Sequence, residues 1–140
     1  MITPTLILLV TKMLYASLAG GIIGLERELR GKNAGIKTFV LISCGAALFS
    51  YMSIILGTND PARIVGQVAT GVGFLGGGVI WKSDCGVSGM TTAAFIWVTA
   101  AIGSLVGIGL HKEALLLSLG MLLSISAIAL FEKLLRKVVS

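Results

Sequence analysis

Three groups of residues in this 140-residue chain are of types and spacings that could do chemistry. Glu26, Arg27 and Arg30 bring acid and base together, followed by Gly31, Lys32, Gly35, Lys37 and Thr38. Such a string reads either as a solvated basic loop against anionic lipid or as a docking and anion-binding surface. Asp60, Arg63 and Gln67 recur at three and four residues, so on a helix they form one polar strip. Interfacial anchoring accounts for the strip, with the guanidinium snorkelling and Gln67 bonding a neighbouring helix. The sharper reading pairs Asp60 with Arg63 to shape an entrance or a partner contact. Lys12 interrupts an apolar run and sits where its stem can snorkel.

Other patterns carry less. Residues 71–76, Gly-Val-Gly-Phe-Leu-Gly, spell the dinucleotide-binding fingerprint, but they lie inside an apolar run with no preceding strand, and Asp84 follows at the wrong distance. His111 stands alone on a turn, and no nucleophile has a base in reach, so no enzymatic activity is expected. Cys44 falls in an apolar run and Cys85 in a polar loop, which supports neither a disulfide framework nor a metal site. No Asp, Glu or His falls near the middle of an apolar run, where a proton relay or a magnesium site would need one. Only carbonyls or hydroxyls such as Thr70, Thr91, Thr92 and Thr99 could serve, so no metal and no cofactor are expected.

The elements that must position these residues are membrane helices. The chain is 56% hydrophobic and 12% charged, with a mean hydropathy of +1.00 and 19 glycines; soluble chains carry about 25% charged residues. One span takes about 20 residues, so about five fit, and what is left is too short for a soluble domain with its own core. The apolar runs place them at about 6–25, 38–56, 62–81, 91–110 and 114–131. The first is read as an uncleaved span, because a basic leader segment is missing and further runs follow. Gly57, Thr58 and Asn59 mark a turn, Asp60 and Pro61 an N-cap and first helical residue, and Lys82 to Gly89 a polar loop, after which Thr91 or Thr92 opens the fourth span.

With five spans, Arg27, Arg30, Lys32, Lys37, Lys82, Lys133, Arg136 and Lys137 share one face, against Arg63 and Lys112 on the other. The positive-inside bias then puts the N-terminus outside and the C-terminus in the cytoplasm. The expected architecture is an all-α, compact bundle of five transmembrane helices forming a single domain over residues 1–140.

Lipid gives helices no hydrophobic reason to associate, so small residues that let backbones approach mark the contacts. Gly20 with Gly24, Gly73 with Gly77, and Gly103 with Gly107 are such pairs, and span three adds Gly66, Gly71, Gly76 and Gly78. Span three is therefore expected to be the most closely surrounded helix; the alternative is a broken helix whose freed carbonyls line a pathway.

Several strings together resemble the MgtC/SapB membrane proteins of bacteria. They are Gly21-Ile-Ile-Gly-Leu-Glu-Arg-Glu28, Arg30 to Thr38, Asp60-Pro-Ala-Arg-Ile64 with Gln67, Gly71 to Gly76, and Val87 to Ala94 with Trp97. The resemblance implies a multi-pass protein of the bacterial inner membrane with five helices. It marks Glu26, Arg27, Arg30, Gly35, Thr38, Asp60, Arg63, Gln67, Gly73, Phe74, Gly76, Thr91, Thr92 and Trp97 as family-pattern positions. Lys37 stands where the family usually has Arg, Gly77 where Ala is common and Met90 where Leu is common; a bidentate contact made by that Arg is beyond Lys37. The match covers the membrane domain, and roles resting on the soluble C-terminal domain of longer members are not expected here. The resemblance implies a link to growth in low magnesium and to survival inside host phagocytes, hence virulence. It also implies two kinds of action, modulation of the ATP synthase or ion transport. The expected function is that of a noncatalytic modulator of another membrane complex, such as the ATP synthase; the alternative is a magnesium or other ion transporter acting as a homo-oligomer. Expected partners are the lipid bilayer, a second copy with a dimer favoured, and that membrane complex, not nucleic acid.

Overall fold

The computed structural model describes residues 3–57, 60–84 and 86–139 of the chain. Among them run five helices: α1 (Pro4–Leu29), α2 (Ile36–Ile55), α3 (Pro61–Gly78), α4 (Met90–Gly107) and α5 (His111–Val139). Four of these, all but α3, are long and apolar enough to cross a membrane. α3 has 18 residues, about 27 Å of helix, and its Arg63, Gln67 and glycines dilute its apolar character.

Helix ends differ from the apolar runs because charge stops a span, not a helix. α1 starts at Pro4 behind Thr3, whose hydroxyl accepts from Leu6 N at 3.3 Å. It continues through Glu26, Arg27 and Glu28, all able helix residues. It stops at Gly31, which takes φ +63° so that Lys32 N reaches Arg27 O (3.0 Å) and Gly31 N reaches Glu28 O (2.9 Å), a Schellman turn. α4 ends the same way, with Leu110 N on Leu105 O and Gly109 N on Val106 O. α5 runs on into its basic terminal turns.

Two local expectations are corrected. Asp60 holds the N-cap position of α3, but its side chain makes no cap hydrogen bond; its backbone carbonyl accepts from Arg63 N (3.3 Å) instead. The segment after α3 is a two-stranded hairpin, not a plain polar loop: β1 (Trp81–Ser83) pairs antiparallel with β2 (Gly86–Ser88), Lys82 opposite Val87. Trp81 and Val87 suit a pleated strand better than a helix end, so α3 stops at Gly78. Gly89 then opens α4 at φ +87°, packed against the Val79 carbonyl too closely for a Cβ. Thr58, Asn59 and Cys85 lie outside the described residues.

The core is α2 clasped between α1 and α4. A Cβ on Gly20 would lie 2.5 Å from Phe39 O, and one on Gly24 2.7 Å from Ile36 Cα. On the other side of α2, a Cβ on Gly103 would lie 2.8 Å from Ser43 Cα, and one on Gly107 2.6 Å from Ser50 Cβ. Ser43, Ala47 and Ser50, all fully buried, form the matching small-residue stripe of α2. Backbones thus meet at van der Waals range on both faces of one helix, which is how helices associate without a hydrophobic drive. The buried hydroxyls of Thr99 and Ser118 turn back on their own helices, to Phe95 O (2.7 Å) and Ala114 O (2.9 Å).

Span three departs from expectation most. α3 is a continuous helix, and it is peripheral rather than closely surrounded. Among the α3 residues whose burial is described, Val72 and Gly76 alone are buried; Gly76 lies against Ala93, while nothing comes within 4 Å of a Cβ built on Gly66, Gly71, Gly73, Gly77 or Gly78. Phe74 is 83% exposed. Those five glycines are therefore not packing residues within this protomer, and Gly76 is. An apolar groove of about 510 Å³ separates α3 from α4, walled in part by Trp97, and another of about 550 Å³ separates it from α2.

Candidate functional site

α1 and α4 run antiparallel and are bolted together by a cation at each end. At one end Arg27, 3% exposed, donates from Nη2 to Thr92 Oγ1 (3.3 Å) and lays its guanidinium 4.3 Å from the centroid of Phe95. Such a stacked, planar cation is well suited to a partly apolar site. Glu26 approaches Arg27 at 3.8 Å and pairs with Arg30 one turn on. The Schellman turn that ends α1 holds Arg30 and Lys32 outward, both exposed.

The same turn aims Glu28 at the start of α2. Its Oε2 accepts from Ile36 N at 2.9 Å, so a carboxylate eight residues upstream caps a helix whose own N-cap, Gly35, has no side chain to offer. A Cβ on Gly35 would come 2.5 Å from that oxygen; glycine here makes room for the cap. Lys37 and Thr38 follow, exposed on the first turn of α2.

At the opposite end Lys12 corrects the expectation of snorkelling. It is 4% exposed and donates to Gly107 O (2.7 Å) and Val106 O (3.3 Å), with its ammonium 5.0 Å from the Tyr51 ring centroid. Val106 O already receives Gly109 N, so Gly107 O is the carbonyl that Lys12 alone satisfies across helices. A cation at the negative end of the α4 dipole is favourable, and it ties α1, α2 and α4 at one point. Beside it Tyr15 stacks on His111, 4.9 Å between centroids and 10° between planes, joining α1 to α5.

The structure thus brings together Glu26, Arg27, Arg30 and Thr92, with Gly31 and Gly35 shaping the same end. It leaves Asp60, Arg63 and Gln67 exposed on α3, Gln67 on the rim of the groove toward α2, Thr91 exposed beside Thr92, and Trp97 on the wall of the α3–α4 groove. Sequence reasoning missed Glu28, Phe95, Tyr51 and the role of Lys12. Lys12 did carry a signal, an ammonium inside an apolar run with three donors to satisfy. Among the described residues no three of His, Cys, Asp and Glu gather so as to hold a metal ion. Cys44 is a half-buried free thiol against Ser17 (3.3 Å).

Comparison with known proteins adds the family. The chain is 46% identical over 112 residues to the "Putative magnesium transporter YhiD" of Escherichia coli K12, a match covering 74% of this chain and 52% of that protein. It is 42% identical over 106 residues to Protein MgtC of Salmonella typhimurium (76% and 46%) and 44% identical over 100 residues to Protein MgtC of Brucella abortus (71% and 42%). The chain spans about half the length of these curated relatives. No solved structure matches it. The glycine-clasped helices and the Glu26–Arg27–Thr92 end both lie within residues 13–134, which match the description of the MgtC family, and the chain belongs to that family.

Proposed function

We propose that this chain is a noncatalytic, multi-pass protein of a bacterial inner membrane that acts in magnesium homeostasis by modulating another membrane complex, the ATP synthase being the complex the family resemblance points to. In this reading all five helices cross, with the N-terminus outside and the Arg27 end in the cytoplasm, as the distribution of Lys and Arg favours. The observation that carries it is the packing at the centre. Backbone contact at Gly20, Gly24, Gly103 and Gly107 fills the space between α1, α2 and α4, and both buried cations there are bound to protein groups. The charged and amide groups turned to the surface are Lys32, Lys37 and the Glu26-paired Arg30 at one end, and Asp60, Arg63 and Gln67 along α3. A protein built this way acts through what it touches.

The name of the Escherichia coli relative favours a second reading, a magnesium transporter, in which a homo-oligomer would supply the pathway along α3. Magnesium flux into sealed proteoliposomes of the purified, full chain separates the two. The modulator reading expects flux equal to that of protein-free vesicles, with lowered ATP-driven proton pumping when the chain is added to membranes holding ATP synthase. Saturable magnesium flux would overturn it, and unchanged pumping would remove the ATP synthase as the partner.

A further inference from the structure

One side of α3, running from its exposed surface to the rim of the open groove toward α2 where Gln67 and Gly71 stand, carries polar groups that no described residue of the protomer bonds. Asp60, Arg63, Gln67 and Phe74 fall within about 60° of one another around the helix at 100° per residue, and all four are exposed. The ion pairs among the described residues are those of Glu26 with Arg27 and Arg30; Asp60 and Arg63 join neither each other nor another described side chain. The one side-chain hydrogen bond described on α3 is that of Thr70 to Gly66 O, which leaves the Gln67 carboxamide free. Gln67 lies about 10 Å along the helix from Asp60, inside the apolar layer if α3 crosses. A carboxamide facing hydrocarbon is costly, and in membranes such groups act as glue between helices.

These groups are complementary to themselves. A carboxamide both donates and accepts, so two copies of Gln67 facing each other satisfy both. An acid and a base one turn apart, meeting the same pair across a two-fold axis, give two reciprocal ion pairs, Asp60 to the second Arg63 and Arg63 to the second Asp60. Both copies inserted in one orientation place their α3 helices parallel, as this pairing needs. Gly71, on the wall of the open groove toward α2, and Gly78 border the same strip, with nothing within 4 Å of a Cβ on either, so a second helix seated over the groove can come close.

We propose that this face of α3 is a homodimer interface, the second copy of this chain packing α3 against α3 about an axis through Gln67. The inference goes beyond the functional reading, since a dimer serves a modulator or a transporter alike, and its test does not depend on flux or on pumping.

The test is made on the full chain with both cysteines replaced, in native membranes and in liposomes of varied protein-to-lipid ratio. Gln67→Cys is expected to form an intermolecular disulfide readily, while Leu123→Cys, on the 72% exposed surface of α5, does not. Asp60→Arg and Arg63→Asp alone are each expected to lower the dimerisation constant, read by single-molecule photobleaching, about tenfold or more. The double exchange restores it to within about threefold, which a folding defect in the single variants would not allow. A monomer at all densities, equal cross-linking at Leu123, a Gln67→Cys adduct with a different protein, or an unrescued double exchange would each overturn the proposal.

Discussion

Replacing Lys12 by Met should destabilise the bundle, although it removes a charge from an apolar segment. The ammonium makes two hydrogen bonds, to Gly107 O and Val106 O, and stands over Tyr51. Hydrogen bonds to a charged group contribute about 1.5–3 kcal/mol each, and the ring contact about 0.5–1 kcal/mol more. Met fills most of the volume and returns about 1–2 kcal/mol through its apolar chain. Val106 O keeps Gly109 N, so the carbonyl orphaned by the change is Gly107 O. The expected net loss is about 2–4 kcal/mol, measured as the shift in unfolding free energy of the purified chain in mixed micelles. A snorkelling lysine predicts the opposite sign, because Met is then the better membrane residue. A double-mutant cycle with Tyr51→Leu isolates the ring contact, with an expected coupling of about 1 kcal/mol. A Lys12→Met chain as stable as the parent, or more so, would refute the account of Lys12 as the cap of α4.

Three further outcomes follow from the same geometry. Gly103→Ala drives a Cβ into the Ser43 backbone and is expected to cost about 3 kcal/mol or more, whereas Gly77→Ala, with open space around it, is neutral or gains up to about 1 kcal/mol from helix propensity; thermal unfolding of the two side by side checks the contrast. Arg27→Lys keeps the charge but cannot both stack on Phe95 and reach Thr92; it should cost about 1–3 kcal/mol, and Thr92→Val added to it should cost little more. Glu28→Ala removes the cap on Ile36 N and is expected to cost about 0.5–2 kcal/mol, with faster amide exchange confined to the first turn of α2.

What was legible in the chain was whatever one helix decides alone. The apolar runs placed five helices in order because burial in lipid or protein acts on each segment separately, and Gly20, Gly24, Gly103 and Gly107 sit at close contacts because only small residues let backbones meet. What was not legible depended on two helices at once. Lys12 looks like a snorkelling residue on α1 by itself; its partner carbonyls lie 94 and 95 residues away, and only the antiparallel docking of α4 makes the capped geometry available. Glu28 as a cap required the Gly31 turn to fold the chain back by a definite angle. The Arg27–Thr92 contact unites two residues marked by family resemblance, yet nothing in either string says that they touch.

The glycines of α3 show why the same residue type misled in one helix and not in the others. Spacing says that a glycine permits close approach; it does not say to what. In α1 and α4 the permitted neighbour is α2 of the same chain. In α3 Gly66, Gly73, Gly77 and Gly78 face open space with Arg63 and Phe74 exposed among them, Gly71 and Gln67 line the open groove toward α2, and Gly76 packs on Ala93. A helix selected only to meet lipid gains nothing from glycine, which lowers helix propensity by about 1 kcal/mol each relative to alanine, and loses by showing an arginine and a carboxamide to hydrocarbon. Both costs are offset if the approaching surface is protein. Within one chain the α3 strip therefore looks like a fault in the packing, and across a two-fold axis it becomes the same kind of glycine-lined contact that already joins α1, α2 and α4.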